Sequence, residues 1–191
     1  MNFIVSFLLF FTKDEALAFS LLAALIDKFS LKKLYGGEME SLRGKFYQMD
    51  RLLHIHLPRL LEHFRFEGLS SSLYAPGWFV TLFTLTLDET KFPDGKERPS
   101  DFLITIWDNF ITVGWKAIYK ATIFILHKLE KKILHLNSEE ILKLMKNLDK
   151  DNFWNDDKLA IEFKEEIKKL KITNTMLETL EFEFNNLLQN F

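Results

Sequence analysis

Residues 115–136, WKAIYKATIFILHKLEKKILHL, decide the fold, because they head a run that reaches Phe191 without a Gly or a Pro. Gly lets a chain leave helical geometry and Pro removes a helical donor, so 77 residues lacking both predict helix throughout. The whole chain is short of these breakers, with seven Gly and four Pro in 191 residues, about half the roughly 12% of average sequences. An all-β sandwich, which needs turn residues about every 8–12 positions, is excluded. The fold class is all-α, a multi-helix array.

A hydrophobic content of 48% with 20 Phe supports a packed core and excludes disorder. Lys and Arg number 25 against 27 Asp and Glu, a net charge of −2. With no basic surplus to neutralise phosphates, nucleic acid is not an expected partner. The absence of Cys excludes a disulfide scaffold, a Cys-based zinc site and a thiol nucleophile, and fits the cytoplasm.

Upstream, Met1–Phe11 (MNFIVSFLLFF) is almost wholly apolar. Charges at Lys13, Asp14 and Glu15 cut it far below the roughly 20 residues of a transmembrane helix, so no transmembrane segment is expected. Ala16-Leu17-Ala18 mimics a signal-peptidase site, but the basic n-region is missing and three charges intervene. The reading that remains is a helix apolar all round because it is enclosed all round, with further polypeptide expected in front of Met1. Thr12-Lys13-Asp14-Glu15 reads as a T-x-x-E capping box opening a helix over 16–29. Gly36-Gly37 ends that unit. The next helix carries Leu42, Phe46, Met49, Leu53, Leu57, Leu60 and Phe64 on one stripe, with a kink or break expected at Pro58.

Ser70–Pro76 reads as a turn and Trp78–Leu87 as a short buried helix. The polar stretch 88–100 (DETKFPDGKERPS) suits a surface loop better than a domain boundary. Helices are then predicted over 101–112, 115–136, 139–148, 158–171 and 176–190, with N-terminal caps at Asn137 (paired with Glu140) and Thr175 (paired with Glu178). In the last of these, Leu177, Leu180, Phe184, Leu187 and Phe191 form a docking stripe. Residues 1–150 form the main unit, and 151–191 a helical extension packed on it.

Constellations with chemistry of their own are missing. His54 and His56 point about 200° apart on a helix, and His56 and His63 lie about 10 Å apart, too far to share one zinc. The stretch DKDNFWNDD from Asp149 fails as a calcium loop, with Trp154 where the turn needs Gly and Ala160 where Glu belongs. Neither a phosphate-binding G-x-x-x-x-G-K nor a G-x-S-x-G elbow occurs. No metal, cofactor or catalytic residue is expected in this chain.

What stands out are aromatic clusters in a fixed order: Ser72, Tyr74, Trp78, Phe79, Leu82 and Phe83, then Ile106, Trp107, Asp108, Phe110 and Gly114. Together they resemble the C-terminal half of the TBC domain of Rab GTPase-activating proteins, whose pattern runs S-x-Y-x-x-x-W-F-x-x-L-F and I-W-D-x-F-x-x-x-G. His56-Leu57-Pro58-Arg59-Leu60 resembles the family's H-L-P-x-L helix, and residues 18–29 (AFSLLAALIDKF) its A-F-x-L-L segment. The likeness covers most of residues 1–136. The loop at 88–100 is longer than the family's spacer, and residues beyond about 150 match weakly.

The resemblance implies activation of a Rab-type GTPase in trans, by an Arg from I-x-x-D-x-x-R and a Gln from Y-x-Q-G-M. Neither motif occurs in this sequence. Met1-Asn2-Phe3 matches the tail of Y-x-Q-G-M-N, so the resemblance implies a Gln two residues before Met1. The chain is therefore expected to be the C-terminal portion of a Rab GTPase activator of vesicle trafficking, not active as this fragment. The alternative is a finger-less TBC-like module that packs with other protein subunits. Either would be cytoplasmic, peripheral to membranes or within a large assembly. Asn2, Tyr74, Trp78, Phe79, Phe83, Trp107 and Asp108 are the candidate GTPase-contact or family-motif residues. Without an N-terminal half, the first helices should expose apolar faces and the chain should associate.

Overall fold

The computed structural model describes residues 1–35, 39–85, 99–148 and 157–189. Gly36-Gly37, most of the 88–100 loop, the acidic stretch from Asp149 and the terminal Phe191 lie outside them. Twelve helices and no strand occur among the described residues. They are α1 (Asn2–Thr12), α2 (Glu15–Lys28), α3 (Leu31–Tyr35), α4 (Met39–His56), α5 (Pro58–Phe66) and α6 (Ser71–Tyr74). These are followed by α7 (Pro76–Val80), α8 (Asp101–Val113), α9 (Trp115–Ile133), α10 (Ser138–Lys146), α11 (Asp157–Lys169) and α12 (Asn174–Gln189).

The α4–α5 break falls where Pro58 requires it. Leu57 leaves helical geometry and Pro58 starts the next helix at its first position, where a missing N–H costs nothing. Every residue of the predicted stripe from Leu42 to Phe64 is buried, so the break turns the helix without moving its apolar face off the core. α9 is the central element, burying eleven side chains from Ala117 to Ile133. α8 and α11 pack on it, and Phe102, Phe124 and Phe163 meet at 5.1–5.7 Å between ring centres. α12 docks on α4 through Leu177, Leu180 and Phe184, whereas Leu187 is exposed.

Several sequence expectations need correction. Thr12 ends α1 instead of capping α2: Asp14 is the cap, accepting from the Leu17 N–H at 2.9 Å, because its carboxylate stands one residue before the helix. Thr173, not Thr175, caps α12, its hydroxyl accepting from the Met176 N–H at 3.1 Å. The Asn137–Glu140 capping box forms as expected. Residues 70–76 wind into the short helix α6 instead of a plain turn. The helix expected over 78–87 stops at Val80, because Leu82 and Phe83 take positive φ, 50° and 68°. Finally, α1 is not enclosed all round: Ile4, Phe7 and Leu8 are buried, while Phe3, Phe10 and Phe11 are 40–49% exposed.

Candidate functional site

The aromatic motif residues converge. Trp78 starts one ladder, meeting Tyr74 at 5.7 Å and Phe83 at 5.6 Å, while Tyr74 leans on Phe64 at 5.2 Å. Trp107 starts the other: Phe7 of α1 stacks on it at 4.6 Å, and Phe110 meets it edge-on. From Phe110 the contacts run to Phe29 and Trp115, then to Phe79 and Tyr119. Paired rings contribute about 0.5–1.5 kcal/mol each beyond the area they bury. The two ladders are joined where the Trp107 Nε1–H donates to the Leu82 carbonyl at 3.2 Å.

That bond explains the unusual backbone after α7. Left-handed conformations cost bulky residues roughly 1–2 kcal/mol each, and here two stand in succession. Both side chains are fully buried, the Phe83 N–H donates to the Trp78 carbonyl at 2.9 Å, and the Leu82 carbonyl is turned toward Trp107. Burying a large apolar side chain stabilises by about 1.5–3 kcal/mol, enough to offset the strain.

Gly114 sets the angle between α8 and α9. Its φ of 68° and ψ of −145° lie in a region open essentially to Gly alone, and a Cβ there would sit 3.2 Å from the Phe29 ring. The Trp115 indole donates to the Phe29 carbonyl at 3.1 Å, and Lys28 Nζ donates to the Ile111 carbonyl at 3.0 Å. The end of α2 is thus fastened to the α8–α9 joint.

Of the seven candidate residues, Tyr74, Trp78, Phe79, Phe83 and Trp107 are buried within these ladders. Asn2 and Asp108 are exposed. The Phe7–Trp107 stack fixes the helix bearing Asn2 to the helix bearing Asp108.

A polar lock that sequence reasoning missed ties α4, α9 and α12 together. Buried Gln48 donates through Nε2 to the Leu177 carbonyl at 2.8 Å and accepts from the Tyr119 hydroxyl. Burial pushes the Tyr119 phenol well above its ordinary value. Beside it, Lys45 lies 4.9 Å from the Trp115 ring centre, and burial lowers its amine while Glu181 pulls it back up. The signal available in the sequence was an amide at 48 between the stripe residues Phe46 and Met49. Nearby, burial raises the Asp50 carboxyl, with the Ser71 hydroxyl and Arg65 acting against it. Asp50 in turn adds to the burial that raises the Tyr74 phenol, whose hydroxyl meets no partner among the described residues.

The histidines do not converge. His54 is exposed, and His63 Nε2 lies 3.0 Å from the Leu136 carbonyl. His56 Nε2 is buried without a partner among the described residues, and burial lowers its pKa. Among the described residues no three His, Asp or Glu side chains gather as metal ligands, and no helix is long and apolar enough to cross a membrane. The arrangement offers shape and rigidity.

A family model of the Rab-GTPase-TBC domain matches residues 1–134, the span that holds every ladder residue named above. The chain belongs to that family. Among similar proteins, GTPase-activating protein GYP5 of Saccharomyces cerevisiae is 33% identical over 147 residues, covering 77% of this chain and 15% of that protein. Rab GTPase-activating protein eat-17 of Caenorhabditis elegans is 33% identical over 141 residues, 74% of this chain and 14% of the relative. Ecotropic viral integration site 5 protein homolog of Homo sapiens is 27% identical over 188 residues, 95% of this chain and 22% of the relative. The TBC chain therefore spans less than a quarter of the length of these relatives.

Proposed function

We propose that this chain supplies the bracing helices of a Rab GTPase-activating unit, and that it binds a Rab-type GTPase without itself providing the catalytic fingers. The observation that carries the reading is the convergence of the TBC motif residues on two joined ladders, one of which fixes α1 to α8. In this arrangement Asn2 and Asp108 face the GTPase. Tyr74, Trp78, Phe79, Phe83 and Trp107 act from within, holding those helices at a set angle. Residues 151–191 serve as an extension of the 1–150 unit, a role supported by the packing of α11 on α8 and α9 and of α12 on α4. The work is cytoplasmic and peripheral to membranes.

The chemistry requires groups from elsewhere. Charge building on the transferring phosphoryl calls for a guanidinium, and the attacking water needs an oriented polar partner. I-x-x-D-x-x-R and Y-x-Q-G-M, the motifs that would provide both, are absent from the 191 residues. An arginine finger accelerates hydrolysis by about 10³ to 10⁵. Single-turnover GTP hydrolysis by a panel of Rab-type GTPases tests the reading. The 191-residue chain should leave the intrinsic rate unchanged while binding at least one GTP-loaded member. Acceleration on the scale of a finger would overturn it.

A further inference from the structure

Three lysines and two glutamates line a cleft where α2, α4, α9 and α12 meet, a cavity of about 430 Å³. Lys28 ends α2, Lys45 stands on α4 and Lys116 in the first turn of α9, while Glu178 and Glu181 share one face of α12. A smaller cavity of about 260 Å³ shares Lys45, Gln48 and Glu181 with it. The opposite charges are neighbours that do not pair. Among the described residues none of the three lysines forms an ion pair. Lys28 Nζ is engaged with the Ile111 carbonyl and the Phe29 ring. Lys45 Nζ has only Gln48 Oε1, at 3.4 Å, and the Trp115 ring, and Lys116 has no hydrogen-bond partner among the described residues.

We propose that this cleft binds a small sugar phosphate, with its phosphate on Lys45 and Lys116 and its hydroxyls on Glu178 and Glu181. Charge favours the phosphate. Lys45 and Lys116 are half-buried, and an ammonium drawn out of water with no carboxylate beside it is short of a counter-charge. Two such groups on the packed helices α4 and α9 suit a dianion, and Lys28 adds to their field even with one of its three donors spent. Gly114 gives α9 no side-chain cap, so the positive end of that helix adds to the lysines without replacing them.

The acidic wall favours the sugar. A bare anion would meet Glu178 and Glu181 as like charges, whereas the hydroxyls of a sugar would donate to them. Both glutamates are exposed, so they can turn toward such a ligand or out into water, while the half-buried lysines are less free to leave the cleft. Size fits as well. Cavities for small molecules run from about 300 to 1,000 Å³, and this one lies toward the lower end, with room for a monosaccharide. The lysine side falls within the TBC match over residues 1–134 and the glutamate side beyond it, so the helical extension completes the site.

Isothermal titration calorimetry of the full chain with D-glucose 6-phosphate tests the proposal, at about 50 mM salt so that the charges are not screened out. The expected Kd is about 0.1–1 mM, the range for a few charge-assisted hydrogen bonds. Lys45→Met keeps its stem on the Trp115 ring and should weaken binding about tenfold. Lys116→Gln gives up no existing contact and should weaken it as much, so it reads the site even where Lys45→Met fails to fold. Lys143→Gln, on the exposed side of α10, should change nothing. Glu178→Gln combined with Glu181→Gln should weaken the sugar ester and tighten inorganic phosphate, since the like charges are gone. Neither heat nor a change in phosphorus NMR linewidth up to about 10 mM ester would overturn the proposal. So would glucose or inorganic phosphate binding as tightly as the ester, phosphoethanolamine binding more tightly, or Lys143→Gln costing as much as Lys116→Gln. Movement of both ligands in the same direction in the double variant would overturn it too, as would binding to anionic phospholipid vesicles in place of the soluble ester.

Discussion

α9 and α2 are both long, both rich in Ala, Leu and Ile, and opposite in fate. α9 carries Lys116, Lys120, Lys128, Glu130, Lys131 and Lys132 and still buries eleven side chains. α2 has an uncharged run of eleven residues and buries two. Composition tells how much a helix stands to gain from burial, but the elements packed around it decide whether that gain is realised within the chain. α9 packs chiefly on α4, α8 and α11, whereas α2 packs chiefly on α1 and α3 and meets the α8–α9 joint only at its end. Stability should therefore reside around α9, and the unrealised gain at α2 is left for association.

The largest expected effect follows from cutting the ladder on the stable side. Trp107→Ala removes the Phe7 stack and the bond to Leu82 and opens a cavity, so a loss of about 3–5 kcal/mol in urea unfolding is expected. If Trp107→Ala costs less than about 1 kcal/mol, the contrast between the two regions fails. Next is Gly114→Ala, which meets both the backbone restriction and the Phe29 ring. A loss of about 2–4 kcal/mol should appear as a lower unfolding midpoint.

A third expectation concerns alkaline pH. Burial raises the phenols of Tyr74 and Tyr119 well above 10, and that of Tyr35 to about 12. Above pH 10 the unfolded chain loses protons that the folded chain keeps, so the folded state binds more and its stability falls as pH rises. Lys45 works the other way below its ordinary value of 10.5, since the unfolded amine holds its proton more tightly than the buried one. The urea midpoint should therefore be lower at pH 11.5 than at pH 9, with the phenolate absorbance of half-exposed Tyr47 appearing first and that of the other three tyrosines only as the chain unfolds. Phenolate absorbance from the folded chain at pH 11 well beyond one tyrosine's worth would break the assignment of Tyr35, Tyr74 and Tyr119 to the core.

The smallest effect belongs to the α1–α2 hairpin. Phe19→Ser should change monomer stability by no more than about 0.5 kcal/mol, measured at a concentration too low for association. A larger loss would mean that α2 is more firmly part of the fold than its exposure indicates.

Legibility in the sequence followed the range of the interaction. The Leu42–Phe64 stripe, the break at Pro58 and the Asn137–Glu140 box depend on neighbours within a turn or two, and all can be read directly. The competition between Thr12 and Asp14 for the α2 cap is also local, but two capping residues two positions apart make the start of the helix ambiguous. The left-handed pair at Leu82 and Phe83 gives no local sign, because neither is Gly and the carbonyl that rewards the strain serves Trp107, 25 residues on. The polar lock is hidden for the same reason, with Gln48 bonded 71 residues ahead to Tyr119 and 129 ahead to Leu177. The motif residues were visible as a pattern, and the buried segment read over 78–87 already placed Trp78, Phe79 and Phe83 in the core, where they lie.

The Gln48 bond sets an order of events during synthesis. At about 5–20 residues per second, roughly 6–26 s separate the emergence of Gln48 from that of the carbonyl it needs. Until then a nascent chain holds an amide in its apolar centre with half its demand unmet. α12 is thus the helix that closes α4, and a chain stalled before it would present that open centre to chaperones.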